Sequence, residues 1–209
     1  RGDDMSYEDK NTLELILNAA KEEFLEKGIK SASLRNIVKK AGVTTGAFYG
    51  YFTSKSEIFK ALVDEEYNFI MDGYKKALTD FENLPNEEKP SQMGKAGRDF
   101  MKRMIYYFNE HRDVFKLILQ CSEGTKYAFL VDEMIELEIV GTRKYYEVLK
   151  LLGNDVPYID PRLEHILVTG MMNAYFEMMI HDMPLDDAVH YLEELNDFYT
   201  AGWIKIMGQ

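Results

Sequence analysis

A chain of 209 residues can bury roughly 70% of its extended surface, and 46% hydrophobic residues, 29% charged residues and five prolines exclude collagenous, mucin-like and disordered classes. A single cysteine, Cys121, excludes an internal disulfide, and no apolar run approaches the length of a membrane span. The net charge of −11 is unevenly spread: residues 1–60 carry +1 and residues 61–209 carry −12, with six basic side chains against one acidic between 28 and 60. These features read as a cytoplasmic globular protein whose N-terminal end alone suits a polyanion. Arg1–Asp4 reads as an appended stretch and Met5 as the natural start.

Residues 6–27 place Leu13, Ile16, Leu17, Ala20 and Phe24 at helical spacing, with Ser6 as cap and Gly28 as stop. A short helix is predicted over Leu34–Ala41 behind the cap Ser33, ended by Gly42, and another over Thr45–Phe52 behind the cap Thr44. The capping-box spacing of Ser54 and Glu57 opens a fourth helix running to about Phe81. Asn83–Pro90 reads as a loop. Helices follow at about 91–110, 112–121 and 125–152, the last ended by Gly153. Asp160 and Pro161 open a helix to about Asp182, Met183-Pro184 breaks it, and a final helix runs from Leu185 to about Met207. No stretch alternates with a period of two, so the expected fold is all-α with about nine helices.

Ser33–Phe52 reads as two short helices about a Gly42-Val43 turn, with Ile37, Ala41, Val43 and Phe48 facing inward: a helix-turn-helix. In such a unit the second helix enters the major groove by its N-terminal end. Both short helices start with hydroxyl residues, and helix N-termini favour phosphate. Lys39 and Lys40 read as a solvated face.

The pattern Ala19-Ala20, Phe24, Gly28, Ser33-Leu34-Arg35-Asn36-Ile37-Val38, Ala41-Gly42-Val43, Gly46-Ala47-Phe48-Tyr49, Tyr51-Phe52, Lys55, Ile58-Phe59 resembles the tetracycline-repressor (TetR) type of bacterial transcriptional regulator, densely over about residues 10–60. The resemblance implies a helix-turn-helix DNA-binding domain over 6–54 and a helical effector-binding and dimerisation domain over 55–209. It implies DNA contacts from Ser33, Arg35, Thr44, Thr45, Gly46, Tyr49, Tyr51 and Lys55. Two departures stand out: Thr45 where a lysine is frequent, and Gly50 with Tyr51 where a larger residue and a histidine are frequent.

Reading a palindromic operator needs two recognition helices about one turn of duplex apart, hence a homodimer. The last two helices carry stripes suited to that interface, Leu167, Gly170, Ala174 and Met178 with Leu163, and Leu192, Leu195, Tyr199 and Ile206 with Ala188 and Gly202. The effector site that the resemblance implies would draw on Phe100, Met104, Tyr107, Phe108, Phe115, Tyr127, Met134, Met171 and Tyr175, whose rings and thioethers suit an apolar small molecule. The acidic balance of this half favours a cationic or neutral effector over an anion. No nucleophile elbow, P-loop, dinucleotide fingerprint or metal-binding spacing is present, so neither catalysis, cofactor nor metal is expected. The reading is a ligand-responsive regulator, a repressor by resemblance, whose effector tilts the fourth helix. The alternatives are a helical small-molecule-binding protein or an enzyme without a DNA role.

Overall fold

The computed structural model describes residues 7–181 and 183–209, the side chain of Tyr7 excepted. The expectations for Arg1–Asp4, Met5, the Ser6 cap and Asp182 lie outside the described residues. Within them the chain is helical and without strands: α1 Tyr7–Ser31, α2 Leu34–Ala41, α3 Thr45–Tyr51, α4 Lys55–Glu82, the single turn α5 Lys89–Gln92, α6 Lys95–Glu110, α7 Arg112–Gln120, a 3-10 turn Lys126–Phe129, α8 Leu130–Leu151, α9 Pro161–Ile180 and α10 Leu185–Ile206.

The local signals act as their chemistry dictates. The Ser33 hydroxyl accepts from the Asn36 N–H, Thr44 from the Ala47 N–H at 3.1 Å and Asp160 from the Arg162 N–H at 2.9 Å; each such cap is worth about 1 kcal/mol. α1 is broken at Gly28 (φ 68°, ψ 159°) before a further turn to Ser31. The Ser54 hydroxyl accepts from the Glu57 N–H at 3.2 Å, but the returning Glu57 carboxylate takes the Thr53 N–H at 2.6 Å rather than that of Ser54. Two predicted helices are interrupted. The one expected over 91–110 breaks at Gly94, whose left-handed φ of 74° and 2.8 Å clearance from a Cβ to the Thr200 hydroxyl leave room only for glycine. The one expected over 125–152 starts as the 3-10 turn and becomes α-helical at Leu130.

The chain packs as two compact units, residues 1–67 with 113–128, and residues 68–112 with 129–209. In the first, Ile16, Ala20, Phe24, Ile37, Phe48, Ile58, Phe59 and Phe115 are buried, and the Phe24 and Phe59 rings meet edge-to-face at 5.4 Å, an arrangement worth about 1 kcal/mol beyond area burial. Cys121 is buried here too; burial pushes its thiol pKa up, and its carbonyl accepts from the Ile29 N–H at 2.9 Å. In the second unit the core is Tyr74, Phe100, Met104, Met134, Leu149, Val168, Phe176 and Leu192. α4 begins in the first unit and ends in the second. No helix of the described residues is long and apolar enough to cross a membrane.

Candidate functional site

The geometry of the helix-turn-helix follows from three buried groups, Ile37, Ala41 and Phe48, and from Gly42, which ends α2 in the left-handed conformation (φ 68°). A buried carboxylate fixes how α1 meets α2. Glu23 of α1, 1% exposed, accepts from Lys27 Nζ at 3.0 Å, from the Ser33 N–H at 3.2 Å and from Asn36 Nδ2 at 3.2 Å. Burial alone would raise its pKa; the hydrogen bonds from Lys27, Ser33 and Asn36 outweigh it and hold the carboxyl below the usual value.

The exposed residues of the unit include Arg35, Lys39, Thr44, Thr45, Gly46, Tyr49 and Gly50. Arg35 and Lys39 stand four residues apart on one face of α2 and make no ion pair among the described residues, whereas Lys30 is paired with Glu123 at 2.5 Å and Lys40 with Glu22 at 3.1 Å. Ser33 and Thr44 accept with their oxygen from the helix and keep a hydroxyl proton to donate outward. The Tyr49 ring rests edge-on against Phe48 at 5.4 Å while the side chain stays 54% exposed. Gly46 and Gly50 are not required by anything inside the chain: a Cβ at Gly46 would come no closer than 4.0 Å to another atom, and one at Gly50 would meet nothing. Two unforced glycines in a seven-residue helix cost roughly 1–2 kcal/mol of helix propensity, a cost that fits a surface kept bare for close approach by another molecule.

Two of the expected contacts are engaged elsewhere. Lys55 Nζ donates to the carbonyls of Ile29 at 2.8 Å, Lys30 at 3.0 Å and Ala32 at 2.9 Å, so its three protons are spent on the C-terminal end of α1. The Tyr51 hydroxyl donates to the carbonyl and carboxylate of Asp9 at 3.2 and 3.1 Å; burial and that carboxylate raise its pKa. Both residues brace the head. Lys39, read as a solvated face, is exposed and lies four residues from Arg35 on α2.

The second unit holds a cavity of about 150 Å³. Tyr74, Phe81, Tyr145, Tyr175, Tyr199 and Trp203 form its aromatic walls, with Met171 and Met207 among the rest. Of the expected effector residues, Met171 and Tyr175 line it. Phe100, Met104 and Met134 are packed in the core, and Phe108 borders a separate hollow of about 10 Å³. Tyr107 stacks on Phe69 at 3.9 Å. Phe115 and Tyr127 belong to the first unit, where the Tyr127 hydroxyl donates to Asp64 at 2.7 Å. The polar lining was missed in the sequence. Glu138 accepts the Tyr74 hydroxyl proton, and burial raises its pKa despite that bond. Burial, with Glu138 nearby, pushes the Tyr175 hydroxyl up to about 12, against a lowering hydrogen bond from Asn196.

The expected dimer stripes are partly core. Met178 and Leu192 are buried within the second unit, and Tyr199 lines the cavity. Leu167, Ala174, Leu195 and Ile206 are half-buried and Gly170 is exposed. Of the expected stripes Leu163 is exposed, and the other exposed large apolar side chains of α9 and α10 are Ile166 (64% exposed), Tyr191, Phe198 (72% exposed) and Ile204. Among the described residues no group of three His, Cys, Asp or Glu side chains is placed to hold a metal ion.

Residues 16–62 match the profile of "Bacterial regulatory proteins, tetR family". The chain is 43% identical over 65 residues, 31% of its length and 34% of the other's, to the uncharacterized HTH-type transcriptional regulator YvdT of Bacillus subtilis (strain 168). It is 44% identical over 52 residues, 25% of each chain, to the HTH-type transcriptional repressor BepR of Brucella suis biovar 1 (strain 1330). The matched stretch thus spans between a quarter and a half of the curated relatives. In fold, the TetR family transcriptional regulator PfmR of Thermus thermophilus superimposes with a TM-score of 0.55 at 21% identity, over 92% of this chain and 96% of that one. The likeness to the tetR family of bacterial regulatory proteins thus lies in residues 16–62, the stretch that holds the helix-turn-helix.

Proposed function

We propose that the chain is a ligand-responsive transcriptional repressor that holds a palindromic double-stranded operator as a homodimer and releases it when a small apolar molecule enters the cavity. Residues 6–54 are its DNA-binding domain and residues 55–209 its effector-binding and dimerisation domain. The observation that carries the reading is the exposed face built from Arg35, Lys39, Thr44, Thr45, Gly46 and Tyr49, with two cations that make no ion pair among the described residues and a helix start left bare by glycine. Arg35 and Lys39 supply phosphate contacts, the Ser33 and Thr44 hydroxyls donate to phosphate oxygens, and Thr45, Gly46 and Tyr49 bring the start of α3 to the groove. A protein that bound only the small molecule would have no use for Gly46 and Gly50.

Leu163, Ile166 and Gly170 on α9, and Tyr191, Phe198 and Gly202 on α10, form the homodimer surface; apolar side chains this exposed are covered in a stable assembly. α4 supports the coupling, because the helix that starts at Lys55 in the head carries Tyr74, Ala77, Leu78, Phe81 and Glu82 along the cavity wall. A ligand that fits one position of α4 better than another shifts the population of head arrangements, and operator affinity with it.

The test is selection of genomic fragments by the purified chain, then a mobility shift on the enriched duplex alongside light scattering. A dimer in solution that binds one palindrome above bulk DNA supports the reading. A monomer that ignores duplex DNA even at low salt overturns it.

A further inference from the structure

Asn196 on α10 is 6% exposed, and its side-chain carbonyl oxygen is a buried polar atom with no hydrogen-bond partner among the described residues. A buried acceptor without a donor is costly unless something outside the chain supplies one. Asn196 lines the cavity, and so does Glu138, whose carboxylate accepts the Tyr74 hydroxyl hydrogen bond and has further lone pairs to satisfy. Tyr175 lines the same cavity, and besides burial, which raises its hydroxyl pKa, both residues act on that hydroxyl, Asn196 lowering its pKa and Glu138 raising it. The cavity lining therefore brings together an acceptor with no partner among the described residues, Asn196 Oδ1, and the Glu138 carboxylate.

Two lysines, Lys89 and Lys144, also line the cavity, but they and the nearby Arg98 are turned to other partners. Lys144 pairs with Glu82 at 2.5 Å, Lys89 donates to Asn86 Oδ1 at 2.9 Å, and Arg98 lies 3.8 Å from Asp197. We propose that the ligand of this cavity is a small aryl-alkyl amine in its protonated form, its ammonium group donating to the Glu138 carboxylate and the Asn196 carbonyl, its ring packed among the tyrosines. The inference rests on reading the cavity as the effector site. An ammonium supplies the missing donors, is attracted to the faces of the surrounding rings and neutralises a desolvated carboxylate. An anion would face Glu138 as a like charge, and a neutral apolar molecule would leave both acceptors unmet. A cavity of about 150 Å³ is the size that accepts benzene in an engineered apolar core, so the ligand is one ring with a short arm.

The experiment is calorimetric titration of the full chain with three near-isosteric probes: phenethylammonium, 2-phenylethanol and 3-phenylpropanoate. The expected ranking puts the ammonium at least about tenfold tighter than the alcohol, the scale of a charge-assisted hydrogen bond, with the carboxylate weakest. Glu138→Gln preserves shape and can still accept from Tyr74; it is expected to cost the ammonium about tenfold and to leave the alcohol within about twofold. Asn196→Ala weakens the ammonium several-fold. The ranking on the unmodified chain stands as a test even where a variant folds poorly. Equal affinity for the three probes, preference for the carboxylate, no binding up to the solubility limit, or an ammonium affinity indifferent to Glu138→Gln overturns the proposal. Operator affinity measured with each probe separates the two readings. Glu138-dependent ammonium binding without operator release sinks ligand-responsive repression and leaves the ligand class standing. Release by the alcohol or the carboxylate, without ammonium preference, does the reverse.

Discussion

Lys55 is where a DNA contact and a structural brace predict opposite results. Lys55→Met keeps the apolar stem and deletes three donors that now satisfy the carbonyls of Ile29, Lys30 and Ala32. The bond to Lys30 is exposed and water replaces it, whereas those to Ile29 and Ala32 are part-buried. Each of these two loses about 1 kcal/mol, and removing a cation from the end of α1 adds roughly 0.5 kcal/mol. The expected destabilisation is about 2–3 kcal/mol, a fall in Tm of roughly 5–10 °C for a chain of this size. Operator binding by the folded fraction keeps its salt dependence, because no phosphate contact is lost. Thermal unfolding followed by circular dichroism and a salt-titrated mobility shift read the two effects separately. An unchanged Tm together with a salt slope reduced by about two, one contact in each head of the dimer, would refute the assignment and return Lys55 to the DNA surface.

Gly46→Ala is expected to stabilise the head by roughly 0.5–1 kcal/mol, since a Cβ there has open space and alanine is the better helix former, while weakening operator binding at least several-fold; tighter or unchanged binding in the mobility shift argues against close approach at α3. Glu23 carries a pKa below its ordinary 4.5, so the stability it confers is present above that value and is lost as pH falls through the lower folded value. Unfolding midpoints should decline as the medium is acidified below this range, and Glu23→Gln should be less stable at neutral pH with a shallower acid decline; an identical pH profile in the variant dismisses the clamp. The pair Ile166→Glu and Phe198→Glu places charge on the exposed apolar face of α9 and α10 and should yield folded monomers by light scattering, whereas Met178→Glu, aimed at a core position, should unfold the second unit. Dimers that persist in the surface variants would locate the interface elsewhere.

The elements were legible where the signal is local. Ser33, Thr44 and Asp160 cap their helices through side chains two or three residues from the N–H they satisfy, and such short-range chemistry is written in the residue types. The break at Gly94 was not legible, because its cause is partly Thr200 of α10, which the fold brings against it. The apolar stripes failed for a different reason. α9 is apolar on nearly all sides, so a period of 3.6 identifies the helix without saying which stripe faces outward, and Met178 and Leu192 turned out to be core. The cavity failed in the same way. Phe100, Met104 and Met134 share their chemistry with Met171 and Tyr175, and only packing separates those that fill space from those that border it. Glu138 and Asn196 were passed over because a polar residue on a helix reads as a solvent face.

Charge shows most clearly what a sequence count leaves open. The six cations between residues 28 and 60 look like one basic surface, yet Lys30 and Lys40 are tied to glutamates, Lys60 lies 4.0 Å from Asp64, and Lys55 serves three carbonyls. Arg35 and Lys39 keep their charge for outside use. If each supplies one phosphate contact in both heads of a dimer, about four counterions are released, and the slope of log affinity against log salt is roughly −3.6. A count of all six in each head would give a slope about three times steeper. The measured slope therefore discriminates between charge that is present and charge that is available, and a steep one would mean that the ion pairs on α1 and α2 open when DNA arrives.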